Sequence, residues 1–115
     1  MKIKFNVTIS KDAENTIIEL VGDSFTYADR NDFLDACKVI PFDTVKLYTI
    51  IMDRNITVID SGALGALTYL HNQANNPDAN FKILCDKNIE LIFKIQGVNW
   101  ATVSVHPVPV NKLGV

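Results

Sequence analysis

Apolar and polar residues alternate over positions 2–9. Ile3, Phe5, Val7 and Ile9 fall on one side, and Lys2, Lys4, Asn6 and Thr8 on the other. A period of two predicts a strand with one solvated face. Positions 11–15 read as a polar turn and 16–21 as a second strand, so a hairpin is expected at a sheet edge, closed by Gly22-Asp23. From 27 to 40 the period lengthens. Phe33, Ala36, Cys37 and Ile40 recur at helical spacing, Asp29, Arg30, Asp32, Asp35 and Lys38 lie outside that stripe, and Pro41 stops the helix. Positions 44–52 are apolar on both sides, which predicts a central strand covered on both faces. Ala63, Ala66, Leu67, Leu70 and Ala74 predict a helix starting near Ser61 and stopped by Asn75-Asn76-Pro77-Asp78. A buried strand over 81–85, a helix over 89–96 ending at Gly97 and a last strand over 101–105 follow. Strands alternating with helices from residue 44 onward predict right-handed crossovers and a largely parallel sheet. The tail from His106, HPVPVNKLGV, is expected to lie loose or extended. No linker or repeat interrupts the pattern. Residues 1–115 are therefore expected to form a single α/β domain, a mixed sheet with a parallel centre, an N-terminal edge hairpin and helices packed against it.

Composition narrows the classes of function. With 48% apolar and 21% charged residues in 115, the chain can bury a real core. A net charge of −2 lacks the basic excess of a dedicated nucleic-acid binder. No apolar run reaches the ~18 residues needed to cross a bilayer, and MKIKFNVTIS has no apolar segment of the secretory kind. Cys37 and Cys85 stand in apolar contexts and read as a reduced pair of small hydrophobes, so a cytoplasmic protein is expected. A metal site would need more ligands than these cysteines offer, and no cofactor is expected.

Chemical information concentrates in residues 56–70, ITVIDSGALGALTYL, where an apolar segment runs into Asp60-Ser61 and then a helix rich in small residues. Ser61 sits where an N-cap belongs. Glycine at 62 and 65 costs roughly 1 kcal/mol each relative to Ala inside a helix. The small side chains of Gly62, Ala63, Gly65 and Ala66 leave the first turns bare to close approach. Two readings follow: Ser61 only caps a tightly packed helix, or it is an exposed, modifiable hydroxyl at the positive end of a helix dipole. A phosphate there would also stand beside the repelling charge of Asp60.

Catalytic use of Ser61 has little support. The nucleophile elbow G-x-S-x-G lacks its first glycine, because Ile59 stands there. The histidines are His71 and His106. His71 lies ten residues along the same helix, about 15 Å by helical rise, too far to activate Ser61. The acids Asp23, Asp29, Asp53 and Asp60 are not placed as in a phosphoaspartate receiver, and no P-loop or dinucleotide fingerprint occurs. Asp29, Asp32 and Asp35 at three-residue intervals read as a solvated helix face. No catalytic residue is assigned.

The run Asp60-Ser61-Gly62-Ala63-Leu64-Gly65 after a short apolar strand resembles the D-S-S-G/A-L-G signature of STAS domains, in particular bacterial anti-sigma factor antagonists. The resemblance extends to Val21-Gly22 with Phe25, Phe33 and Ala36, to residues 81–97 and to residues 99–105, in the family's order. It implies that Ser61 is the phosphoacceptor and Asp60 its preceding acid. It also implies that Asp60, Ser61, Gly62, Ala63, Leu64 and Gly65 meet a partner. That partner is a serine kinase doubling as an anti-sigma factor, and a serine phosphatase reverses the modification. Two departures stand out: Gly62 replaces the second serine, and Met52 replaces the acid near the end of the central strand, with Asp53 one place later. The other reading within the resemblance is a structural subunit of a larger signalling or transporter-associated complex, unphosphorylated. A monomer or a weak homodimer through an edge strand fits either.

Overall fold

The computed structural model describes residues 2–107. The N-terminal alternation forms β1 (Lys4–Ile9), antiparallel to β2 (Asn15–Val21), with Phe5 opposite Leu20 and Val7 opposite Ile18. The chain continues through β3 (Ser24–Phe25) and α1 (Arg30–Ala36), then β4 (Leu47–Met52), β5 (Val58–Ile59) and α2 (Ser61–Gln73). It finishes with β6 (Asn80–Cys85), α3 (Lys87–Ile95) and β7 (Thr102–Val105). The main sheet has the order β1-β2-β4-β6-β7, antiparallel in the β1–β2 hairpin and parallel across β2, β4, β6 and β7. The hairpin thus supplies an edge and β4 the centre, as the alternation and the apolar run predict. Residues 27–40 form one α-helix flanked by 3-10 turns, Tyr27–Asp29 and Cys37–Val39, and Phe33, Cys37 and Ile40 are buried.

One hydrophobic cluster joins sheet and helices. Ile18, Leu20, Tyr48, Ile50, Met52 and Ile83 meet Phe33, Leu67, Leu70, Ile89 and Phe93, each almost completely buried. Removing such a side chain from water contributes about 1.5–3 kcal/mol. Phe5, Phe25 and Phe33 form a three-ring cluster with centroids 5.3–5.7 Å apart, closing the core beneath the hairpin. At the other end of the strands Tyr48 stacks on Phe81 at 4.4 Å, and His71 of α2 stacks on Trp100 at 4.7 Å.

One expectation fails. β4 is central but covered on one face only: Tyr48, Ile50 and Met52 are buried, whereas Leu47, Thr49 and Ile51 are part-exposed. Their outward neighbours Ile17, Glu19, Lys82 and Ser104 are exposed as well. The cause is topological. Parallel strands added in the order β2, β4, β6, β7 progress in a single direction, and crossovers of one hand then place every helix on the same face. The first two residues of the tail, His106 and Pro107, have no regular secondary structure but are anchored. His106 is half-buried, its backbone N–H donates to Cys85 O at 3.0 Å, and its Nε2 bonds the carbonyl of Met52. A carbonyl only accepts, so that ring nitrogen carries the proton. Arg54 Nη1 donates to Pro107 O at 2.8 Å. The start of the tail is thus tied across the ends of β6 and β4. The remainder, 108–115, lies outside the described residues.

Candidate functional site

The start of α2 is built by a second, two-stranded sheet that the periodicity does not reveal. β3 pairs parallel with β5, Ser24 opposite Val58 and Phe25 opposite Ile59. The chain leaves both strands side by side, so Tyr27 comes to lie over the first turn of α2. The Tyr27 N–H donates to Asp60 Oδ2 at 3.0 Å, and the Ala63 N–H donates to Asp60 Oδ1 at 2.9 Å. Asp60, not Ser61, is therefore the N-cap, and Ser61 is the first helical residue. Asp and Ser cap equally well, and local spacing does not separate adjacent cap candidates. The amides of Tyr27, Ala63 and Gly62 hold the Asp60 carboxyl below its ordinary range, with Tyr27 the largest contributor.

Each predicted site residue has a distinct setting. Ser61 is exposed, and its hydroxyl makes no hydrogen bond among the described residues. Gly62 is closed off by the protein itself: a Cβ there would lie 2.5 Å from Tyr27 Cβ and 2.8 Å from Tyr27 Cα. Ala63 is wholly buried and turned into the core. Leu64 is half-buried. Gly65 is exposed, and a Cβ at that position would meet nothing within 4 Å. Ser61, Leu64 and Gly65 thus share a surface, which Ala63 does not reach and Tyr27 covers at Gly62. Met52 ends β4 in the core, and Asp53 caps the following turn by accepting from the Asn55 N–H at 3.3 Å.

That surface is a shallow open depression lined by Arg30, Ser61, Leu64, Gly65, Thr68 and Gln96, among others. Arg30 from α1, Thr68 and Gln96 were not singled out by sequence. They reach the site only because β3–β5 pairing and sheet order bring α1 and the end of α3 to either side of α2. Tyr27 is 69% exposed beside it, and Leu91 and Ile95 of α3 are 55% and 71% exposed. Such large apolar side chains on one molecule's surface are the material of a protein contact.

Other candidates carry less chemistry. Asp29, Asp32 and Asp35 are each engaged, with Thr26 (2.9 Å), Lys2 (3.3 Å) and Lys38 (2.9 Å) respectively. Among the described residues no three His, Cys, Asp or Glu side chains gather to hold a metal. An apolar groove of about 190 Å³ between α1 and α2 is lined by Leu34, Cys37, Phe42, Tyr69 and Leu70. Burial pushes the Cys37 thiol up to about 12, so it offers no thiolate there. Burial likewise raises Cys85 to about 12, with Glu90 and Asp86 adding to it, and both cysteines are free. Among the described residues no helix is long and apolar enough to cross a membrane. Compared with models of known protein families and with curated proteins, the chain matches none.

Proposed function

We propose that this protein is a phospho-switch of the anti-sigma-factor-antagonist kind, a binding module rather than a catalyst. In this reading unmodified Ser61, with Leu64, Gly65 and the flanking side chains, forms the surface on which a cytoplasmic serine kinase that is also an anti-sigma factor docks. The kinase directs Ser61 Oγ onto the terminal phosphorus of its bound nucleoside triphosphate. The Oγ–P bond forms, the bond to the leaving nucleoside diphosphate breaks, and the serine proton passes to a base on the kinase. A phosphatase reverses the step by hydrolysis. The observation that carries the reading is the placement of Ser61: exposed, unbonded, first in a helix whose cap is another residue, and next to a glycine face left bare. A serine serving only as a cap would spend its oxygen on the helix amides, and here Asp60 performs that task. The STAS-like run of residues 60–65 agrees with this placement. Asp60 shapes the acceptor by holding the amides of Ala63 and of Tyr27 beside it, and contributes to kinase recognition.

The test is mass spectrometry of the protein isolated from its host, followed by binding to the kinase recovered with it. A phosphoryl group confined to Ser61 and lost in Ser61→Ala is the expected result. Ser61→Ala should stay locked in the binding-competent form, and Ser61→Asp should bind the kinase at least tenfold more weakly. A chain unmodified in every growth condition, with a co-purifying partner indifferent to Ser61 substitution, would replace the switch by a constitutive subunit.

A further inference from the structure

A phosphate on Ser61 would find the amides of Ala63 and Gly62 already turned to Asp60. Its Oδ1 accepts from Ala63 N–H at 2.9 Å, and the Gly62 amide also helps hold the carboxylate ionised. The modification therefore adds up to two negative charges directly beside a third. Of the residues lining the depression with Ser61, Arg30 carries a positive charge. Arg30 opens α1, is half-buried, and has neither an ion pair nor a side-chain hydrogen bond among the described residues. The acids around it are already engaged: Asp29 with Thr26, Asp32 with Lys2 and Asp35 with Lys38. Its helix is also anchored beside Ser61. Tyr27, one turn earlier, is bonded to Asp60 and packed against Gly62, which holds the start of α1 against the start of α2. Gly65 lines the same depression, and a Cβ there would meet nothing within 4 Å, so its surface is open to a long side chain.

We propose that Arg30 is the intramolecular receiver of phosphorylated Ser61. Its guanidinium crosses the depression and bridges two phosphate oxygens, offsetting the repulsion from Asp60, and in doing so lies over Gly65. This rests on the phospho-switch reading and gives it a mechanism. The phosphate not only adds charge to the docking surface but draws an arginine across the bare helix face that the partner would occupy. Arginine suits this role because its planar fork matches a phosphate bidentately and is always charged.

The experiment uses the full chain with phosphoserine genetically encoded at position 61, its phosphorus resonance titrated against pH. Compared with the parent, Arg30→Gln should raise the second ionisation of the phosphate by roughly half a pH unit, the size expected for losing one partly solvated opposite charge. Arg30→Lys should recover most of that shift. Lys82→Gln, on the opposite face of the sheet, should leave the curve in place. Superimposable curves for the parent and Arg30→Gln would overturn the proposal, as would an equal shift from Lys82→Gln. Because the phosphoserine is encoded, a protein never phosphorylated in its host would defeat the switch reading while leaving this result intact.

Discussion

Asp60 joins two segments 33 positions apart through one carboxylate, and its removal should be felt in both. Replacing an N-cap aspartate by alanine costs about 1 kcal/mol, and losing the Tyr27 bond adds to it, so Asp60→Ala should lose about 1–2 kcal/mol in denaturant unfolding at pH 7. The loss should depend on pH in a definite direction. The folded carboxyl ionises below its ordinary value, so its contribution is fully present above the unfolded value, near 4, and disappears as pH falls through the folded value. The gap between parent and Asp60→Ala should therefore narrow on acidification below about pH 4, and a gap that is constant or widens would contradict the assignment. Gly62 is the second sensitive position. Its missing Cβ is what lets Tyr27 approach, and the obstruction includes Tyr27 Cα, which a rotamer change does not move. Gly62→Ala should destabilise by about 1–3 kcal/mol, the usual range for forcing a methyl into a closed contact, visible as a lowered denaturant midpoint.

At the scale of the element, α2 should respond in opposite ways to the same change at its two glycines. Gly65 sits within the helix with open space above it, so Gly65→Ala should stabilise by about 0.5–1 kcal/mol through helix propensity alone. If the bare face serves docking, that more stable variant should nevertheless bind the proposed kinase less well, a separation that thermal unfolding and titration calorimetry on one protein would reveal. The existence and order of the long elements were readable from residues alone, because each repeats its apolar positions often enough to fix a period. Ala63, Ala66, Leu67 and Leu70 mark α2, and all four are buried. What escaped was short or non-local. Two-residue strands such as β3 and β5 have no period to detect, and the choice between Asp60 and Ser61 as cap turns on a bond to Tyr27 that no local pattern encodes. The exposure of Leu47 and Ile51 on the outer face was hidden for another reason. A strand apolar on both sides looks the same whether one layer of helices covers it or two, and Ile17 and Ile51 show that this sheet tolerates aliphatic residues facing outward. Ser61 at the start of the helix and the bare glycine face beside it were legible at residues 60–65. The cation beside them was not, because Arg30 reaches the site only through tertiary structure.

For the molecule as a whole, the single core couples its two thiols to global unfolding. Cys37 and Cys85 are buried, and their thiolates are disfavoured by that burial. An aromatic disulfide reagent at pH 8 should therefore label the native protein slowly, and both sites should accelerate in parallel as urea is raised toward the unfolding midpoint. Rapid labelling of one thiol in native buffer would mean that its region opens on its own. The same inertness combines with the topology to useful effect. β1 begins where β2 ends, so the start of β1, the tied segment at His106 and Pro107, and the start of α2 all stand at one end of the sheet. The hairpin turn around Lys11 stands at the other. A cysteine introduced at Lys11 would be the fast-reacting handle on a molecule whose own thiols are shielded. A dye or sensor surface attached there would hold the protein by its far pole, leaving the serine-bearing end free to meet whatever is flowed past it.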